Sequence, residues 1–427
     1  GEINLLLKWF FTGYLTGYVF VNLYNAFLFV YIRYFNKRIL KISFAYDEDS
    51  KFNIIKSPKP GEAVEIKSDD GIEPLYNYNR DFVPANPYTI LFVANPKICT
   101  RLKLDKAFEN REDFYTKLEI HRRNADSYLD DPIIKNKELF YRSIDRALYS
   151  FENDSVLGHP GIWSGVRIVT IFDKDIADVI DESRFPDWTG DHFGFAEAYQ
   201  ANVSTEDMVF DNLLVPLPEI TQFLKDKLPA YQTETAASEK ITFDKIDVIF
   251  ILSANEKYDR SSAMFADKPG SAKIFNNDIP PVLNLTHAPF SDEPGIAAIN
   301  VYSAWQKTFI HEYAHAMSEF QNGAIVDEYF DYNEAVINPS PELQPINRRE
   351  RSTSNQPIPV IYAKYKNYTI HSDREHPSER ENWRGYFPER WAPHIGCTMD
   401  RYTGFYKFDK LISDFMHDRL MAKINRP

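Results

Sequence analysis

His311 and His315 stand four residues apart in "FIHEYAHAMSEF" (Phe309 to Phe320), with Glu312 directly after the first. On an α-helix that spacing is a little more than one turn, so both imidazoles share a face and can reach one divalent cation. Glu312, turned about 100° from His311, lies beside the same point. These residue types match the chemistry of zinc hydrolysis. Two neutral imidazoles bind the ion, the ion acidifies a water, and a carboxylate takes that water's proton and passes it to a leaving amine. The competing assignment is an ordinary helix carrying two surface or core histidines. Histidine is scarce here, ten in 427 residues, so the pattern seldom arises by chance.

A tetrahedral zinc site with an open water position needs a third protein ligand. Glu319 shares the histidines' face but lies a further full turn along, which fits a structural role. A metzincin would place Gly three and His six residues after the second histidine, and Ser318 and Gln321 stand there instead. In "NGAIVDEYFDYNEA" (Asn322 to Ala335), Asn322 and Gly323 end the helix and turn the chain back, bringing Asp327 and Glu328 beneath the metal. The two acids are adjacent, so in extended chain their side chains point to opposite sides and only one faces the ion. Glu334 is the alternative, as a glutamate on a following helix, and His394 is a candidate remote ligand.

These side chains must be held by a scaffold, and "VYSAWQKTFIHEYAHAMSEF" (Val301 to Phe320) reads as the helix, free of Gly and Pro. Before it, "YTILFVAN" (Tyr88 to Asn95), "VRIVTIF" (Val166 to Phe172) and "IDVIFILS" (Ile246 to Ser253) are β-branched runs that read as buried strands. Helical periods separate them at "KELFYRSIDRALYSF" (Lys137 to Phe151) and "PEITQFLKDKL" (Pro218 to Leu228). The fold class is therefore α+β, a mixed sheet with helices, the strands preceding the histidine helix. "PPVLNLTH" (Pro280 to His287) is the expected edge strand for an extended peptide, since prolines suit an edge.

The N-terminus is different. "WFFTGYLTGYVFVNLYNAFLFVYI" (Trp9 to Ile32) carries no charge, is bracketed by Lys8 and Arg33, and is long enough to cross a bilayer. Trp9, Tyr31 and Tyr34 fit an interfacial belt, and Gly13 and Gly17 form a small-xxx-small pair that can seat another helix. A single-pass membrane protein is expected. Arg33, Lys37, Arg38 and Lys41 follow the segment, and the charge rule then puts the rest of the chain on the cytoplasmic or matrix side. The formal charge of −13 repels a phosphate backbone, which argues against nucleic acid as a partner. Two cysteines, Cys99 and Cys397, are too few for a disulfide framework.

"HEYAH" followed by "GAIVDEY" resembles the IgA peptidase family of zinc metallopeptidases, whose members carry HExGH and, shortly after, a DEY or EEY triplet. The resemblance spans Asp247 to about Met399; Ala314 stands where the family has glycine, and the interval to the triplet is longer. It implies a zincin-like catalytic domain in which His311 and His315 bind Zn2+, Glu312 is the base, Glu328 or Asp327 completes the site, and Tyr329 steadies the oxyanion. "GCTMDR" (Gly396 to Arg401) is similar to the family's C-x-M segment, which makes Met399 either an apolar floor under the metal or a buried core methionine. The family also implies an extracellular catalytic domain, against the charge rule. The resulting organisation is a membrane anchor over 1–41, a linker or small β-rich layer over 42–87, and a catalytic domain over 88–427. The expected function is zinc-dependent hydrolysis of a polypeptide substrate. The alternative is a membrane-tethered scaffold or complex subunit with little or no turnover.

Overall fold

The computed structural model describes residues 42–66, 76–80, 86–96, 131–180, 196–199, 213–217, 219–254, 261–266, 294–302, 304, 306–319, 324–325, 368–372, 384–388, 398–399, 408 and 410–424. The chain divides into two compact units, Gly1–Ala45 and Tyr46–Pro427. Among the described residues no helix is long and apolar enough to cross a membrane; Trp9 to Ile32, with Gly13 and Gly17, lies outside them.

The second unit is built on a six-stranded mixed sheet. Its strands are β1 (Phe52–Lys56), β4 (Tyr88–Ala94), β5 (Val166–Ile171), β8 (Val248–Ser253), β9 (Ser262–Met264) and β10 (Gly295–Asn300), in the order β1-β5-β4-β8-β10-β9. The four central strands run parallel, and β1 and β9 run antiparallel at the two edges. Three two-stranded ribbons are paired separately from this sheet: β2 (Gly61–Ile66) with β3 (Tyr76–Arg80), β6 (Ala196–Tyr199) with β7 (Leu213–Pro216), and β11 (Tyr368–Ser372) with β12 (Arg384–Pro388); β7 lies against β9 and β10, and Ser262 Oγ donates to the Leu214 carbonyl at 2.7 Å. Every residue of β4, β8 and β10 is buried. Central parallel strands are covered on both faces, and this is why their sequences are mostly apolar without alternation, Thr89, Ser253 and Asn300 being the polar exceptions in these three.

Two helices cover one face. α1 (Lys137–Glu152) is capped by Asn136, whose side chain accepts from the Leu139 amide at 2.9 Å. Short helices α2 (Pro160–Trp163) and α3 (Ile176–Val179) flank β5, and α4 (Glu219–Tyr231) precedes β8. α5 (Gln306–Met317) carries the paired histidines and packs against α1, and α6 (Lys410–Ile424) closes the chain. Phe92 and Phe250, register partners on β4 and β8, stack at 5.0 Å between ring centroids. Phe151 of α1 lies 5.6 Å from both Phe250 and Tyr313, and Phe309 of α5 lies 6.5 Å from Phe250. Each of these rings contributes roughly 2–3 kcal/mol by leaving water, and together they fix which side of α5 faces the sheet.

α5 and β10 are in backbone contact. A Cβ added at Gly295 would lie 1.7 Å from the Ala316 carbonyl oxygen, so only glycine lets the helix approach this closely. At the other end of β10, the Asn300 side chain accepts from the Tyr302 amide at 3.0 Å and Arg146 Nη2 donates to the Val301 carbonyl at 2.6 Å, which turns the strand into the helix.

The expected strands at Tyr88, Val166 and Ile246 and the expected helix at Lys137 coincide with β4, β5, β8 and α1. The histidine helix starts at Gln306 rather than Val301, because β10 runs to Asn300 and Val301 and Tyr302 form the turn that follows it. Phe52–Lys56, within the stretch read as linker or small β-rich layer, pairs with β5 in the main sheet. The edge strand beside β10 is Ser262–Met264; Pro280 to His287 lies outside the described residues.

Candidate metal centre

The packing of Phe309, Tyr313 and Ala316 against the sheet turns the opposite side of α5 outward, and His311 and His315 lie there. His315 is buried at 3 % exposure, Glu312 at 6 %, and His311 is half-buried. One potential ligand atom from each of the three lies within 4.8 Å of the others. The ring centroids of the two histidines are 4.9 Å apart and nearly perpendicular.

Each imidazole is held from behind by a backbone carbonyl. His311 Nδ1 is 2.9 Å from the Thr398 oxygen, and His315 Nδ1 is 2.6 Å from the Ile325 oxygen. A carbonyl only accepts, so each ring carries its proton on Nδ1, and ligation falls to Nε2. Carbonyls in this role fix ring orientation and raise the basicity of the ligating nitrogen. Two imidazole nitrogens with a carboxylate beside them form a group that could hold a metal ion.

The chain following the helix does double back. Ile325 reaches His315, and its amide donates to Ser318 Oγ at 3.0 Å. Glu319 forms an ion pair with Arg419 of α6, so it points to the C-terminal helix. Lys423 of α6 reaches Asp247 at 3.3 Å, and Asp247 also accepts from the Thr89 amide at 2.8 Å, which joins α6 to the starts of β4 and β8. Phe265, just past β9, packs edge-on against His315 at 6.3 Å, and Ala266 donates to the Ser318 carbonyl at 2.9 Å. Met399 is fully buried, next to the carbonyl that holds His311.

Asp327, Glu328, Tyr329, Glu334 and His394 lie outside the described residues. The residues that sequence reasoning did not assign are Thr398, Ile325 and Ser318. Backbone carbonyls leave no side-chain signature, but both lie inside the two segments, "GAIVDEY" and "GCTMDR", that carry the family resemblance. No protein-family model and no curated protein matches the chain.

Proposed function

We propose that this chain is a zinc-dependent metallopeptidase of the zincin type. The observation that carries the reading is the constellation of half-buried His311 with buried Glu312 and His315, with ligand atoms within 4.8 Å and each ring braced at Nδ1 by a carbonyl. Bound zinc would supply a Lewis acid that makes a water nucleophilic near neutral pH. Nε2 of His311 and His315 would hold it. Glu312 would accept the proton of the attacking water and hand it to the leaving amine; its burial beside the two imidazoles supports this role.

Glu328 is the proposed third ligand, with Asp327 as its hydrogen-bonding neighbour and Glu334 as the alternative. Supporting this, Ile325 is tied to His315 only three residues before Glu328, a reach of about 10 Å in extended chain. Tyr329 is assigned to the developing oxyanion. A polypeptide is the substrate class, and the antiparallel edge at Ser262–Met264, whose continuation meets His315 and Ser318, is the element on which an extended peptide would pair. Anchoring through Trp9 to Ile32 completes the proposal.

The test is Glu312→Ala in the full chain. Zinc content should match the wild type while peptide hydrolysis falls by about 10²–10⁴, because the imidazoles remain and the proton acceptor is gone. Wild-type turnover in this variant would remove Glu312 from the reaction. A zinc-loaded wild type that cleaves no peptide would favour the scaffold instead.

A further inference from the structure

Ser318 is the first residue past α5 and is fully buried. Its amide donates to the His315 carbonyl at 3.1 Å, and its hydroxyl donates to the same oxygen at 2.8 Å. A serine bonding back to the preceding turn is common at helix ends and carries no function by itself. The hydroxyl's second bond is different. It accepts from the Ile325 amide, seven residues on, at 3.0 Å, while the Ile325 carbonyl accepts from His315 Nδ1 at 2.6 Å. The Ser318 carbonyl also takes the Ala266 amide at 2.9 Å. One residue thus joins the helix end, the returning chain and the segment past the edge strand.

We propose that Ser318 is a positioning residue for the metal site, acting through Ile325 on His315; this rests on the reading of His311, Glu312 and His315 as a metal centre. The bonds form a closed circuit. It runs from the Ser318 hydroxyl to the Ile325 amide, from the Ile325 carbonyl to the His315 ring, and from the His315 carbonyl back to the hydroxyl. Both polar groups of Ile325 are committed, so the peptide planes on either side of it cannot turn independently. Without the hydroxyl, the buried Ile325 amide loses its acceptor and the carbonyl is released to swing out of line with the ring. His315 then loses the partner that keeps its proton on Nδ1. The same anchor sets where the chain departs toward Asp327 and Glu328, two and three residues further on. His311 is braced by Thr398, not by this circuit, and so serves as an internal reference.

The experiment uses the full chain with isotope-labelled histidine, comparing wild type with Ser318→Ala and Ser318→Cys. In the metal-free protein, imidazole nitrogen NMR should show His315 of the alanine variant as a mixture of tautomers while His311 keeps its wild-type signals. Zinc affinity, measured by chelator competition, should weaken about 10–100-fold, the usual cost of losing an outer hydrogen bond. The visible spectrum of the Co2+-substituted protein should change with it. Ser318→Cys, which keeps the volume and weakens both hydroxyl bonds, should fall between the two and carries the test if the alanine variant does not fold. A wild type that binds zinc, with an unaltered His315 tautomer and unaltered affinity in both variants, overturns the role of Ser318 alone. A wild type that takes up no zinc overturns the metal reading and this role with it.

Discussion

The His311 and His315 rings are the best-defined part of the site, and each depends on a residue far from it in sequence, 87 positions away for Thr398 and 10 for Ile325. The pair itself was legible because two histidines one turn apart around a glutamate are a statement in side chains. The braces were not, since any residue has a carbonyl and only the fold decides which one arrives. At this scale the third ligand is the sharpest question. On the proposed assignment, Glu328→Gln should weaken zinc binding by more than about tenfold, because it would remove a charged ligand, while Asp327→Asn should cost less, as a partner to a ligand would. Chelator competition on the two variants decides between them. The reverse order of losses would exchange their roles, and loss in Glu334→Gln alone would transfer the ligand to the following segment.

At the scale of elements, the strands that the sequence announced are the ones buried on both faces. β4 and β8 are apolar apart from Thr89 and Ser253, and so is most of β5, because both faces of these strands are covered. β10, "GIAAIN", escaped notice because it is short and half of it is Gly and Ala; at Gly295 the small size is needed because α5 lies directly upon it. β9 is three residues long, too short for a periodicity to declare itself. The contact between Gly295 and Ala316 is where sheet and site meet. Gly295→Ala should displace the last turn of α5, cost at least about 3 kcal/mol, the upper part of the range for overpacking, and weaken metal binding together with stability. Urea unfolding and zinc titration of the same preparation measure both; a variant with normal values for each would mean that the helix is free to move away from the strand.

Across the whole molecule, buried acids give stability a dependence on pH that is separate from the metal site. Asp154, just past α1, is buried, and burial pushes its carboxyl up to about 6 from 3.8, although the amides of Val156 and Leu157 donate to Oδ2 and oppose the shift. The folded protein therefore holds this proton more tightly than the unfolded chain. Its contribution is fully present below pH 3.8 and is lost as pH rises through about 6. Asp154→Asn has no such proton to lose. Relative to the wild type, the variant should gain roughly 2–3 kcal/mol as pH is raised across that window. Denaturation curves at several pH values test this, and a difference between the two proteins that stays constant with pH would refute it.

The bond from His311 to Thr398 also sets a clock on biosynthesis. The first histidine leaves the ribosome 87 residues before the carbonyl that holds its ring, an interval of roughly 4–17 s at ordinary rates of about 5–20 residues per second. During it the nascent polypeptide carries both imidazoles and the glutamate, but not the C-terminal segment that steadies His311 or the α6 arginine that pairs with Glu319. A fully braced histidine pair, on this order of events, comes only once the segment around Thr398 has been made. On the proposed function, ribosome-bound intermediates and products of termination before Thr398 would thereby be kept from attacking themselves or their neighbours.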